Sequence, residues 1–245
     1  MKFYGTVRTY SHRIWFNMKV IVKLIKMKIQ FGKTKRESAV CVLCGEREAT
    51  TREHIPPQSL FIENPREYLV VPSCGECNHS TKLDDEYLMQ VMSGAAHVGQ
   101  GRKVWKEKAA PKFKDFPKTQ AGLRSSTTLR KLDIDGRGEM ILPMMDLDVK
   151  RINTNIRKLV FGLYWFHSGN LLDTSTDIKI EYFNIVEFQK YFEEIRLLAL
   201  DEQIALGVYQ EHDVMETFFY MAAISETSSL WYFSFFKQNV IIATT

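Results

Sequence analysis

Along residues 149–167 the apolar positions Ile152, Ile156, Leu159, Leu163 and Phe166 step by four and three residues. That is the spacing of one buried face of a helix. Ser168-Gly169-Asn170 supplies its stop. Ile178-Lys179-Ile180-Glu181-Tyr182 then alternates as a half-buried strand does. Residues 187–200 predict a second amphipathic helix. Residues 214–224, 230–236 and 240–243 are aromatic and β-branched and predict an antiparallel sheet. Residues 137–245 therefore read as a separate α+β domain.

The front of the chain has shorter periods. Residues 40–43 predict a short apolar strand, residues 50–54 start a second element, and Ile55-Pro56-Pro57 stops any helix there. Residues 68–71 predict another strand. Ser80 or Thr81 suits a helix cap, with Asp84, Asp85 and Glu86 near the positive end of that helix. Tyr87, Leu88, Val91 and Met92 form its apolar face. Residues 39–98 thus make one compact unit. Residues 99–136 read as a basic linker. Residues 1–38 read as a basic extension with two β-like runs, 20–24 and 27–31.

The composition is that of a globular protein: 45% hydrophobic and 25% charged over 245 residues. No run of about 18 uncharged apolar residues occurs, and Lys23, Lys26 and Lys28 interrupt the most apolar N-terminal stretch. A cytoplasmic chain with no membrane partner is expected. The net charge of +4 conceals an asymmetry. Residues 1–38 carry ten basic and one acidic residue, whereas residues 136–245 carry nine basic and fifteen acidic. Only the front half suits a polyanion such as DNA, RNA not excluded; the acidic back half suits a protein partner or self-association. Arg102, Lys103, Lys106 and Lys108, interleaved with Trp105, Phe113 and Phe116, are candidate nucleic-acid contacts, with a solvated linker as the alternative.

All four cysteines fall within 37 residues, as Cys41-x2-Cys44 and Cys74-x2-Cys77. Disulfides that staple a secreted fold do not cluster in this way. Two C-x2-C pairs suit a structural Zn2+ in a closed tetrahedron, which has no open position for catalysis. Such an ion would stabilise a unit of about 60 residues that is otherwise marginal.

Thr51-Arg52-Glu53-His54-Ile55-Pro56-Pro57 lies between the pairs, and Asn78-His79 follows the second. With the cysteines this order resembles the HNH (His-Me finger, ββα-metal) endonucleases, in their variant with a four-cysteine zinc site, over about residues 41–90. The resemblance implies an α+β fold in which a small zinc-stapled, treble-clef-like ββα-metal nuclease unit precedes a C-terminal α+β domain. It implies a metal-dependent hydrolase of DNA phosphodiesters. In it His54 is the general base, and Glu53 and Asn78 hold a catalytic Mg2+ or Mn2+. The family's middle Asn, which fixes the hairpin and the base, would fall near Tyr68-Leu69, where this chain has no amide; Asn64 and His79 are the nearby polar residues.

The chemistry is sound on its own terms. A neutral imidazole takes a proton from water, and a carboxylate with an amide oxygen suits a hard divalent ion. Glu53 and His54 are adjacent, so on a strand they face opposite sides. Asn78 also suits a helix cap. The alternatives are a non-catalytic zinc-stapled nucleic-acid-binding module, which the missing Asn favours, and a protein-interaction adaptor.

Overall fold

The computed structural model describes residues 38–63, 65, 68–96, 98–115, 127–133, 139–145, 147–184, 217–224 and 228–245. The expected N-terminal runs, the helix over 187–200, Asn64 and Phe116 lie outside the described residues.

Helices and antiparallel sheets are mixed, an α+β arrangement. Strand β1 (Thr51–His54) pairs antiparallel with β2 (Val70–Ser73), Glu53 opposite Val71 and His54 opposite Val70. A single 3-10 turn, Gln58–Leu60, follows the two prolines. After β2 come α1 (Gly75–Ser80) and α2 (Lys82–Gly94). Thr81 caps α2 without a side-chain bond. The predicted strand over 40–43 is a turn instead. Val40 makes one isolated bridge to Glu48, and Gly45 at φ +67° closes the turn after Cys44. Gly45 N–H donates to Cys41 O at 2.8 Å. Glycine takes this left-handed backbone without a Cβ penalty.

The stretch expected as a linker is helical over residues 99–115: α3 (Gly99–Val104), a π-helical segment (Trp105–Ala109) and α4 (Ala110–Asp115). Its glycines suggest a loop, yet Gly101 lies at a close approach. A Cβ there would fall 2.3 Å from that of Ala96 and 2.8 Å from the Phe236 ring. Val104 and Ala109 are buried on the same side. The basic residues occupy the rest of the surface, and that is why the stretch reads as polar in one dimension.

Strands β3 (Thr127–Asp133) and β4 (Glu139–Met145) form a hairpin. Helix α5 (Val149–Ser168) follows the helical pattern of the sequence. Asp148 caps it by accepting from Arg151 N–H, and Gly169 ends it at φ +79°. The final sheet has the order β5 (Lys179–Asn184), β8 (Asn239–Thr244), β7 (Ser229–Phe235), β6 (Phe218–Ile224), antiparallel throughout.

One apolar core joins these pieces, running from Val42, Ile55 and Val71 through Leu88 and Met92 to Ile156, Leu163, Trp231 and Ile241. Helix α5 lies close enough to the β1–β2 hairpin that a Cβ on Gly162 would meet Ile55 Cγ1 at 2.8 Å. Residues 39–96 and the helix and sheet beyond residue 148 thus share one interior.

Candidate metal centre and active site

The first knuckle, Cys41–Cys44, is held closed by Cys41 N–H donating to Arg47 O at 2.7 Å. It is tied to β2 by Val42 N–H donating to Pro72 O at 2.9 Å. The second begins where β2 ends: Cys74 caps α1, and its Sγ accepts from Cys77 N–H at 3.4 Å. The four sulfurs lie within 4.8 Å of one another, and none is in a disulfide. A zinc ion with bonds of about 2.3 Å needs sulfurs about 3.8 Å apart, so a small closure seats it. The donor set, four thiols converging from two turns, fits a structural metal such as zinc.

The electrostatics prepare the cluster for a cation. Burial opposes ionisation of Cys44, but the backbone N–H groups of Arg47 and Glu46 outweigh it and lower the pKa. Burial likewise opposes ionisation of Cys74, and the Cys77 N–H and the Arg47 guanidinium bring it down to about 6. Burial pushes Cys77 up to about 12, with the neighbouring sulfurs adding to the rise against Arg47. The cluster therefore keeps protons that a dication would displace.

Glu53 and His54 leave β1 on opposite sides, as a strand requires. The Glu53 side turns inward and is 5% exposed. Its Oε1 accepts from His54 N–H at 3.1 Å and from Lys158 Nζ at 3.5 Å. Its Oε2 is buried and has no hydrogen-bond partner among the described residues. Burial raises the Glu53 pKa, opposed by the Lys158 charge and the His54 N–H. Lys158, on α5, is itself 4% exposed; its ammonium also reaches Asp85 Oδ1 and, at 3.3 Å, Thr81 Oγ1. Burial pushes Asp85 up to about 6 despite that ammonium.

The His54 side is half-buried. Burial first, and then the Lys158 charge, lower its pKa, so the imidazole is neutral near pH 7. Two neighbours hold the ring. Gln58 Nε2 lies 3.0 Å from His54 Nε2, and the Tyr68 ring meets it edge-on at 5.0 Å between centroids. Tyr68 in turn donates its hydroxyl to Pro56 O at 2.7 Å. Tyr68 stands where the family's middle Asn is expected, and the amide that touches the His54 ring comes from Gln58 instead.

Asn78, on α1, donates its Nδ2 to Arg52 O at 2.7 Å and to Thr51 Oγ1 at 3.3 Å. The amide nitrogen thus clamps α1 to β1 and leaves Oδ1 as the acceptor. His79 is exposed, with Nδ1 against Gly75 O at 2.5 Å.

Of the candidate nucleic-acid contacts, Arg102, Lys103 and Lys106 are exposed. Lys108 is turned inward. Its Nζ donates to Ser59 O at 3.4 Å and to Phe61 O, so it braces the 3-10 turn rather than facing solvent. The acidic run expected as helix-end charge is more specific: Asp84 pairs with Arg151, Asp85 with Lys158, and Glu86 with Lys112. Sequence reasoning missed Arg47, Gln58 and Lys158, and gave Asp85 only a helix-end role. Of these only Gln58 lay near enough to His54 in the chain to be sought there.

Comparison of the chain with protein-family models, with curated proteins and with solved structures gives no match. No helix among the described residues is long and apolar enough to cross a membrane.

Proposed function

We propose that this chain is a metal-dependent HNH-type endonuclease that hydrolyses DNA phosphodiesters, built on a zinc-stapled ββα-metal unit. Its staple would be a Zn2+ held by Cys41, Cys44, Cys74 and Cys77. The observation that carries the reading is the divided environment of Glu53 and His54. A half-exposed, neutral imidazole sits back to back with a buried carboxylate whose Oε2 has no partner among the described residues. A buried carboxylate oxygen left unpaired costs free energy, on the order of 1–3 kcal/mol, unless water or a cation completes it.

His54, held by Gln58 and Tyr68, would take the proton from the attacking water. Glu53 Oε2 and Asn78 Oδ1 would hold a Mg2+ or Mn2+ ion. Such an ion, when bound, neutralises charge on the phosphate and the leaving oxygen. Arg102, Lys103 and Lys106 would contact the DNA backbone. The cysteine cluster keeps strand, knuckle and helix in register.

A plasmid-nicking assay with Mg2+, Mn2+ or EDTA tests this on the wild type and His54→Ala. Metal-dependent nicking in the wild type, lost in His54→Ala while DNA binding and zinc content persist, is the expected outcome. Cleavage that survives in His54→Ala would move the active site elsewhere.

A second reading, a non-catalytic zinc-stapled nucleic-acid-binding module, is favoured by Lys158. An internal ammonium already lies against the Glu53 carboxylate, so that charge is in part spent on holding α5. A wild type that binds DNA and cleaves nothing with any divalent ion would select this reading.

A further inference from the structure

Arg47 follows the first knuckle by three residues, and the bond from Cys41 N–H to its carbonyl fixes its place in the turn. Its side chain crosses to the second knuckle. There Nε donates to Cys74 Sγ at 3.3 Å, Nη2 donates to Cys77 Sγ at 3.4 Å, and Nη1 lies 2.8 Å from the Glu76 carboxylate. All three guanidinium nitrogens are engaged, so a planar fork is oriented against two sulfurs at once. Cys41 is fully buried; Cys44 is half-buried and is met by the backbone N–H groups of Arg47 and Glu46, whereas the Arg47 guanidinium is directed at Cys74 and Cys77.

We propose that Arg47 is a positioning residue of the metal centre: its guanidinium offsets the charge of the tetrathiolate and shields Cys74 and Cys77 from electrophiles. The proposal rests on the zinc reading. Four thiolates around a dication leave a net charge of about −2, and one guanidinium compensates half of it. An N–H donated to a metal-bound thiolate draws on the lone pair an electrophile would use, and such outer partners help to retain the metal. Cys77 is half-buried like Cys44, but its donor is a side chain that a substitution removes, whereas the N–H groups at Cys44 belong to the backbone and stay.

The test uses the zinc-loaded full chain as wild type, Arg47→Met, Arg47→Lys and Glu76→Gln. Zinc release to a chromogenic chelator gives the rate. Alkylation by iodoacetamide, mapped by mass spectrometry, gives the order; there a sulfur–carbon bond forms, iodide leaves and the zinc–sulfur bond breaks. Cys44, whose backbone donors no substitution here removes, is the internal reference. Arg47→Met should release zinc on the order of tenfold faster, with alkylation of Cys77 gaining on that of Cys44. Arg47→Lys, which keeps the charge but not the fork, should fall between. It also guards against misfolding of the methionine variant. Glu76→Gln, which only loosens the guanidinium, should give the smallest change. Release rates and alkylation order that do not move in Arg47→Met would overturn the proposal and leave the zinc reading standing. Folded chain without zinc would overturn both. In that case removing the guanidinium would slow alkylation, because free thiols would lose a cation that favours the thiolate, so the sign separates the two failures.

Discussion

Replacing Lys158 by methionine keeps the length of the side chain and removes the ammonium. Lys158, Glu53 and the Asp85 side chain are 4%, 5% and 16% exposed, so solvent screens this trio little. Breaking a buried pair by removing one partner costs roughly 3–5 kcal/mol, because the remaining charge stays buried. The cost should depend on pH. Asp85 has a folded pKa of about 6 against an ordinary 3.8. By linkage that difference amounts to about 3 kcal/mol of stability, present below the unfolded pKa and lost as pH rises through about 6. In the wild type that loss is nearly complete above pH 7. Without the ammonium, the charge that lowers Asp85 is gone, its pKa rises further, and the variant goes on losing stability between pH 6 and 8. Urea unfolding followed by tryptophan fluorescence, with zinc present at pH 6, 7 and 8, should show a gap between wild type and Lys158→Met that widens with pH. With zinc bound, the four cysteines would stay ionised over this range. A variant within about 1 kcal/mol of wild type at pH 8, well below the usual cost of breaking a buried pair, would refute the reasoning. So would a gap that does not change with pH.

Three further outcomes are expected. Gly162→Ala gains about 1 kcal/mol of helix propensity but forces a methyl to within 2.8 Å of Ile55. Overpacking of about 1–3 kcal/mol should leave the variant less stable in thermal or urea melts, and a more stable variant would show that α5 is not seated on the hairpin. Converting Arg102, Lys103 and Lys106 together to glutamine should lower the slope of log affinity for DNA against log salt by about 2–3. Lys108→Met should leave that slope unchanged and cost about 1 kcal/mol of stability through its lost carbonyl bonds.

Much of the local structure was legible because it is written in short spacings. Two C-x2-C pairs bring four sulfurs together because each pair is one turn of chain, and Glu53 and His54 part company because a strand alternates. The helix over 149–168 followed from its apolar period alone. What could not be read was fixed by packing between distant elements. Nothing near Asp85 in the sequence points to Lys158, 73 residues away, and the pair exists only because α2 and α5 pack side by side. Residues 99–115 read as a linker because glycine and lysine frequencies report solvent and flexibility, while the need for Gly101 arises from a neighbour that only the fold supplies. Gln58 was not legible because the family's amide falls near Tyr68, whereas here a 3-10 turn carries the Gln58 amide back to the His54 ring.

The shared interior has a consequence for how such a unit can be moved between proteins. Cut away from α5, residues 39–98 would keep the cysteines, the hairpin and both acids. They would lose the cation that compensates Glu53 and Asp85 and the surface that covers Ile55. Grafted onto another chain, the segment would need a new helix offering a buried positive charge and a residue without a side chain one turn further on. The cysteine-bearing segment, in this protein, is not portable on its own.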